Sequence, residues 1–391
     1  MKLRLGIIGA GNIAMTHIRN VQEGKCPDIE ITAVADRKES RRQWAREQLP
    51  DAAIFSEGSE LIAARPCDAV LIAVPHYQHP PLAIEALRAG LHVMCEKPAG
   101  VYTLQVREMM AEADKHPELT FGMMFNQRTN CVYRKIKQML TDGELGEIKR
   151  VNWIVTDWYR TQYYYDSGAW RATWAGEGGG VLLNQAPHNL DLWQWICGMP
   201  AEVTAWCDVA RYHRIEVEDD AAIFTRYENG ATGAFLTSTG ELPGTNRLEI
   251  AGDRGKLVLE NGLLKWWRLP RPEPEIRFAS QENFVSPDCE YEEIAPDAPE
   301  TAHQGILANF AGAILRGEEL LSPGADGLNE LTISNAAYLS AWTGNRPVSL
   351  PMDEAAFDRL LDERAAKSVY KHGAAAHNPD GQYSRRWQVN W

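Results

Sequence analysis

Two short stretches of the chain carry residues able to move a proton. Glu96-Lys97-Pro98 follows the apolar run 91–95, and Gly178-Gly179-Gly180 runs into Val181-Leu182-Leu183-Asn184-Gln185-Ala186-Pro187-His188. In an open parallel sheet, residues just past a strand's carboxyl end line the ligand crevice. A lysine held there acts as acid or base once burial lowers its pKa. From the tripeptide alone, a solvated Lys97 beside a solvated Glu96 explains the residues equally well. With Pro187 in a first helical turn, Asn184 lies just ahead of the helix, and His188 and Asp191 share one face. A histidine opening a helix beneath a glycine-rich loop can meet a substrate oxygen. In isolation, a packing histidine held by Asp191 is the commoner arrangement.

The start of the chain offers a site for a second ligand. Gly9-Ala10-Gly11-Asn12-Ile13-Ala14 fits G-x-G-x-x-[GA] between an apolar run at 3–8 and a helical pattern. The first glycine permits the tight turn, and the second lets a pyrophosphate approach the backbone. The small third residue lets helix and strand pack, and the helix N-terminus supplies positive potential. Asp36 ends the next apolar run, where a carboxylate accepts from ribose hydroxyls and repels a 2′-phosphate. These residues predict NAD rather than NADP as cofactor, with Arg37 leaving some use of NADP open.

The elements that must position these groups fall into two styles. Up to about residue 125, short buried runs at 3–8, 29–35, 69–74, 91–95 and 120–125 alternate with helical segments such as 40–48 and 81–89. That alternation predicts a Rossmann-type, doubly wound parallel sheet. From 126 to 369 the pattern predicts an α+β domain with a large, mostly antiparallel open sheet. Its strands are expected at 148–157, 201–209, 221–227, 231–238, 247–251, 256–260 and 263–268. Asn229-Gly230 and Asn261-Gly262 mark hairpins. Helices on one face are expected near 129–141, 186–197, 303–316, 326–342 and 353–366, and residues 270–300 read as an irregular excursion. The stretch 370–391, with Trp387 and Trp391, is expected to dock on its own or a neighbouring chain.

The 391 residues carry 40 basic and 53 acidic side chains, a net charge of −13. That balance disfavours nucleic acid and anionic membranes and suits a small-molecule partner. The seven cysteines show no CxxC or Cys/His ligand spacing, so neither a disulfide framework nor a zinc site is indicated. His76, His79 and Cys95 do not make a ligand set, and no metal is expected. With no signal-peptide pattern and no apolar run of about 18 residues, the expected compartment is the cytoplasm. Seven of the 13 tryptophans lie between Trp153 and Trp206, with Tyr163, Tyr164 and Tyr165 among them. Aromatic faces stack on sugar rings, although Trp193, Trp195 and Trp206 are expected in the core or at a sheet interface. Trp153, Trp266 and Trp267 are expected on an uncovered sheet face that builds a homodimer or homotetramer.

The G-x-G-x-x-A start, Glu96-Lys97-Pro98 and the stretch from Gly178 to Asp191, in that order, resemble the glucose–fructose oxidoreductase, inositol dehydrogenase and rhizopine-catabolism (Gfo/Idh/MocA) family. The resemblance covers the chain to about residue 365. Val74-Pro75 with His79 resembles the family's T-P-N-x-x-H loop, with Val74 and His76 replacing Thr and Asn. Trp170-Arg171 resembles the Trp-Arg pair that flanks the nicotinamide in relatives. The resemblance implies that Gly9, Gly11, Asn12, Ile13, Asp36 and Arg37 hold the adenosine and pyrophosphate end of NAD. Pro75, His79, Glu96, Lys97, Trp170 and Arg171 would flank the nicotinamide end, with Glu96 on its ribose. Lys97 would hydrogen-bond the reacting hydroxyl, and His188 would exchange its proton while hydride passes to or from nicotinamide C4.

Many relatives have an aspartate four residues before that histidine; here it is Asn184. An amide orients a hydroxyl but carries no charge at neutral pH, so proton transfer falls to Lys97 and His188. Asn126, Arg160, Tyr163, Trp170, Asn184 and Gln185 complete the expected substrate set. That mixture suits an unphosphorylated sugar, glycoside or inositol oxidised at a secondary ring hydroxyl, or the reverse reaction. Relatives also suggest a redox-neutral, NAD-dependent glycoside-cleaving enzyme and a non-catalytic sensor. The proton-transfer pair argues against the sensor.

Overall fold

The computed structural model describes residues 2–369. Its first part alternates strands and helices: β1 (Leu3–Ile8), α1 (Asn12–Gln22), β2 (Ile29–Ala35), α2 (Glu39–Gln48), β3 (Ala53–Phe55), α3 (Gly58–Ala64), β4 (Ala69–Ile72), α4 (His79–Arg88), β5 (His92–Cys95), α5 (Thr103–Ala113) and β6 (Phe121–Met123). The strands form one six-stranded sheet in the order β3-β2-β1-β4-β5-β6, with every neighbouring pair parallel. Strand order reverses between β1 and β4, the point at which an open α/β sheet splits to admit a ligand. Gly9 follows β1, Pro75 lies past β4, Glu96-Lys97 follows β5, and Asn126 lies past β6. The sequence thus delivers all of these groups to one edge of the sheet. The short segment β3–α3 was not foreseen, because three half-exposed residues make no apolar run.

The second part contains α6 (Cys131–Thr141), β7 (Ile148–Val155), α7 (Gln162–Asp166), α8 (Val181–Asn184), α9 (Pro187–Cys197), β8 (Glu202–Val209), β9 (Glu218–Arg226), β10 (Thr232–Ser238), β11 (Asn246–Gly252), β12 (Gly255–Glu260), β13 (Leu263–Arg268), α10 (Glu273–Ala279), β14 (Glu290–Ile294), α11 (Ala302–Arg316), α12 (Asp326–Trp342), β15 (Val348–Ser349) and α13 (Glu354–Ala365). Nine strands make one sheet, β14-β13-β12-β11-β7-β10-β9-β8-β15, antiparallel except at the β10–β7 pair. Period-two alternation turns Val151, Trp153 and Val155 of β7 inward, against Tyr133 of α6 and Phe235 of β10. Trp193 of α9 packs on Phe235 at 5.4 Å from the same side.

Three expectations need correction. The helix near 303–316 was expected on the antiparallel sheet. Instead α11 buries Ile306, Leu307, Phe310 and Ala311 with Leu3, Leu5 and Ile7, on the parallel sheet. A parallel sheet needs helices on both faces, and the N-terminal helices leave room for one more. Residues 270–300 are not wholly irregular, since α10 forms and β14 extends the sheet beside β13. Main-chain bonding at a sheet edge tolerates the polar run Glu290–Ile294, which carries no apolar signal. Trp153 and Trp266 face the core, 1% and 4% exposed, rather than the open face. Trp206, expected in the core or at a sheet interface, lies on that open face with Phe224; each is 47% exposed, and their rings are 5.8 Å apart. The expected docking of 370–391 lies outside the described residues. Among the described residues no helix is long and apolar enough to cross a membrane.

Candidate active site

The dinucleotide end is shaped by close backbone approach. Gly9 has φ +95°, and a Cβ there would stand 2.5 Å from the Ala73 carbonyl oxygen at the end of β4. Gly11 caps α1 with no side-chain cap bond, and nothing stands within 4 Å of where its Cβ would be. The N–H groups of Asn12 and Ile13 therefore open onto free space at a helix N-terminus, which fits a pyrophosphate. Asp36 is pinned at the end of β2 by the N–H groups of Ala10 (2.8 Å) and Lys38 (2.7 Å). These features fit NAD. Arg37 pairs with Glu57 at 2.8 Å, while Arg41, which sequence reasoning passed over, reaches Asn12 Oδ1 at 3.4 Å.

At the other end, Lys97 Nζ donates to the Asn184 carbonyl at 2.7 Å and so ties the end of β5 to α8. Burial lowers the Lys97 pKa, while Glu96, Glu330 and Glu177 act in the opposite direction. His188, at the start of α9, is 4% exposed. Burial, then the charges of Lys97 and His303, hold its imidazole well below the ordinary value of 6.5. Glu96 is buried and bonded to His17 Nε2 of α1 at 2.8 Å. Burial would raise its pKa, but that bond and the charge of His17 bring it below the usual value. His17 and His303 meet edge to face at 5.4 Å, and neither was singled out from the sequence. His79 is fully buried, with its ring nitrogens on the carbonyls of Pro98 (2.7 Å) and Val74 (2.8 Å), so it braces two loops of the crevice. Pro75 precedes the short turn His76–Gln78 in the same loop. Asn126 is fully buried at the end of β6, and neither side-chain polar atom bonds another described residue.

The segment 157–188 closes the cleft. Asn184 donates its amide N–H to Glu177, while its Oδ1 accepts from Tyr164 (3.4 Å) and Gln185 Nε2 (3.1 Å). Arg171 donates to the Tyr164 hydroxyl at 2.8 Å and stacks over the rings of Trp170 (4.5 Å) and Tyr164 (4.6 Å). Arg160 stacks over Trp158 and Tyr164, and Tyr163 is 64% exposed on α7. Glu177 is buried, and burial raises its pKa against the opposing charge of Arg171. Sequence reasoning missed it, although a glutamate directly before three glycines was a usable signal. Glu218 was also missed. It accepts from the N–H groups of Gly180 (3.0 Å) and Leu182 (2.9 Å) and from Tyr338 Oη (2.7 Å). A Cβ at Gly180 would strike the Glu218 carbonyl, so the glycine is what allows this approach. Asp191 binds Arg128 through both oxygens, at 2.6 and 2.9 Å. Arg128 also takes Asp326 at 2.7 Å.

Residues 3–123 match the oxidoreductase family with an NAD-binding Rossmann fold, and residues 133–258 match the GFO/IDH/MocA C-terminal domain. The chain is 26% identical to inositol 2-dehydrogenase of Rhizobium meliloti over 87% of this chain and 97% of that one. It is 31% identical to D-glucoside 3-dehydrogenase of Escherichia coli over 51% of this chain and 55% of that one. The solved WlbA dehydrogenase of Bordetella pertussis, in complex with NADH and UDP-GlcNAcA, superposes with a TM-score of 0.76 at 26% identity, covering 90% of this chain and all of that one. The split parallel sheet with its glycine cradle, the second open sheet and both sequence matches agree: the chain belongs to the Gfo/Idh/MocA family and is an NAD-dependent oxidoreductase.

Proposed function

We propose that this protein oxidises a secondary ring hydroxyl of an unphosphorylated sugar, glycoside or inositol, or runs the reverse reaction, with Lys97 and His188 as its proton-transfer pair. The observation that carries the reading is the Lys97–Asn184 bond, which brings the lysine of β5 to the segment that opens His188. The charge of Lys97 also acts directly on His188, so the two share one electrostatic neighbourhood. Bound at this cradle, NAD would supply the hydride acceptor for the alcohol carbon. Lys97 holds the alcohol oxygen, and the neutral imidazole of His188 takes the hydroxyl proton. Asn184, Gln185 and Tyr164 offer hydrogen-bonding groups to neighbouring hydroxyls, and Trp170 offers a ring face. Arg171 is committed to Tyr164 and the aromatic rings, which supports an unphosphorylated substrate.

A panel of monosaccharides, glycosides, inositols and phosphosugars, scored for NADH formation and for keto products by mass spectrometry, tests the proposal. Turnover confined to phosphosugars or acyclic aldehydes would remove the substrate assignment. NAD retained through turnover, with a cleaved glycoside and no net NADH, would instead favour redox-neutral cleavage.

A further inference from the structure

We infer that Glu177 is a positioning residue: its carboxylate fixes the Asn184 amide with Oδ1 toward Tyr164 and Gln185, and so holds those two polar groups in place on the wall of the cleft. The inference rests on the reading of the cleft as a polyol site. Glu177 is buried directly before the glycine run, and its Oε2 accepts the Ala172 N–H at 2.5 Å. Its Oε1 accepts from Asn184 Nδ2, with Arg171 Nη1 3.9 Å away. An amide donates only through nitrogen and accepts only through oxygen, and an ionised carboxylate cannot donate. With Glu177 Oε1 as acceptor, the Asn184 nitrogen faces Glu177 and its oxygen faces the other way.

The groups on that other side agree. The Tyr164 hydroxyl oxygen receives Arg171 Nη1 (2.8 Å) and Gln185 Nε2 (3.2 Å), which leaves the hydroxyl proton for Asn184 Oδ1. Hydrogen bonds thus run in one sense, from Arg171 through Tyr164 and Asn184 to the Glu177 carboxylate, and each polarises the next. The consequence is an ordered polar wall: with the Asn184 amide fixed by Glu177, its oxygen holds the Tyr164 hydroxyl and the Gln185 amide in the orientations a polyol would meet.

A swap tests the inference. Glu177→Gln lets the Asn184 amide turn over and is expected to raise KM for the polyol substrate by about tenfold, with NAD affinity retained. Asn184→Asp sets two carboxylates against each other and is expected to cost as much. The double variant restores one donor and one acceptor, so it should recover most of the loss in kcat/KM and in melting temperature alike. A double variant whose losses equal the product of the two single losses, or a Glu177→Gln enzyme with unchanged KM, overturns the inference. Turnover of no polyol by the unmutated chain sinks the proposed function instead, and the melting cycle then decides the Glu177–Asn184 pairing alone.

Discussion

At the scale of single residues, the site divides into groups that meet ligand and groups that hold them. Lys97 and His188 are the candidates for chemistry, because burial pushes both toward their uncharged forms within one cleft. General acid–base groups contribute roughly 10²–10⁴-fold. Lys97→Ala and His188→Ala are each expected to lower kcat by about that range while NAD binding, followed by fluorescence titration, survives. Near-normal turnover in either variant would take that residue out of the mechanism. Asp36 supports a second prediction. Its carboxylate is fixed at the end of β2 by two N–H groups, where a 2′-phosphate would meet it. NAD is expected to bind at least about tenfold more tightly than NADP, or about 1.4 kcal/mol. Titration of the apo-protein with both cofactors checks this, and equal affinities would count against Asp36 as the selector.

At the scale of elements, the glycine run between Glu177 and α8 is held by β9 and α12. Glu218 of β9 takes the N–H of Gly180 in that run and of Leu182 in α8, and Tyr338 of α12 donates to the same carboxylate. Burial nevertheless pushes the Glu218 carboxyl up from 4.5 to about 7, against the hydrogen bonds that favour its ionised form. A raised carboxyl pKa means that the folded state binds the proton more tightly than the unfolded state does. Stability from this group is therefore complete below pH 4.5 and is lost as pH rises toward about 7. Urea midpoints measured across that window are expected to show a smaller decline in Glu218→Gln than in the unmutated chain. Parallel declines would show that Glu218 does not titrate there.

At the scale of the whole molecule, among the described residues the nine-stranded sheet has helices on one face only, and the other carries Trp206 and Phe224 among half-exposed residues such as Ile154 and Leu236. An apolar sheet face of this kind marks an interface. A dimer or tetramer closed through it is the expected assembly. Light scattering at micromolar concentration should show it, and Trp206→Asp with Phe224→Asp should give a monomer. A monomeric unmutated chain would refute the assignment.

Much of this architecture was legible before any coordinates. The runs at 3–8, 29–35 and 69–74 are mostly apolar, broken only by Arg4, Glu30 and Thr32, as largely buried strands are, and Gly9, Gly11 and Asp36 sit at fixed offsets from them. Pro187 and the glycine run likewise announced a helix start at His188. These signals are local, each depending on a few adjacent residues and a period. The parts decided only by tertiary structure involve partners far apart in the chain. Helix α11 looks amphipathic whichever sheet it covers, and only the vacant face beside β1 settles the choice. A tryptophan in a strand reads alike facing in or out until a register is set, which is why Trp153 and Trp266 face the core rather than the open face expected for them. The pairings of Glu96 with His17, Asp191 with Arg128, and Glu218 with Tyr338 span 79, 63 and 120 residues. Sequence determined which strand end or helix start carries each reactive side chain. Burial against distant residues, which shifts pKa values and fixes rotamers, decided what those side chains do.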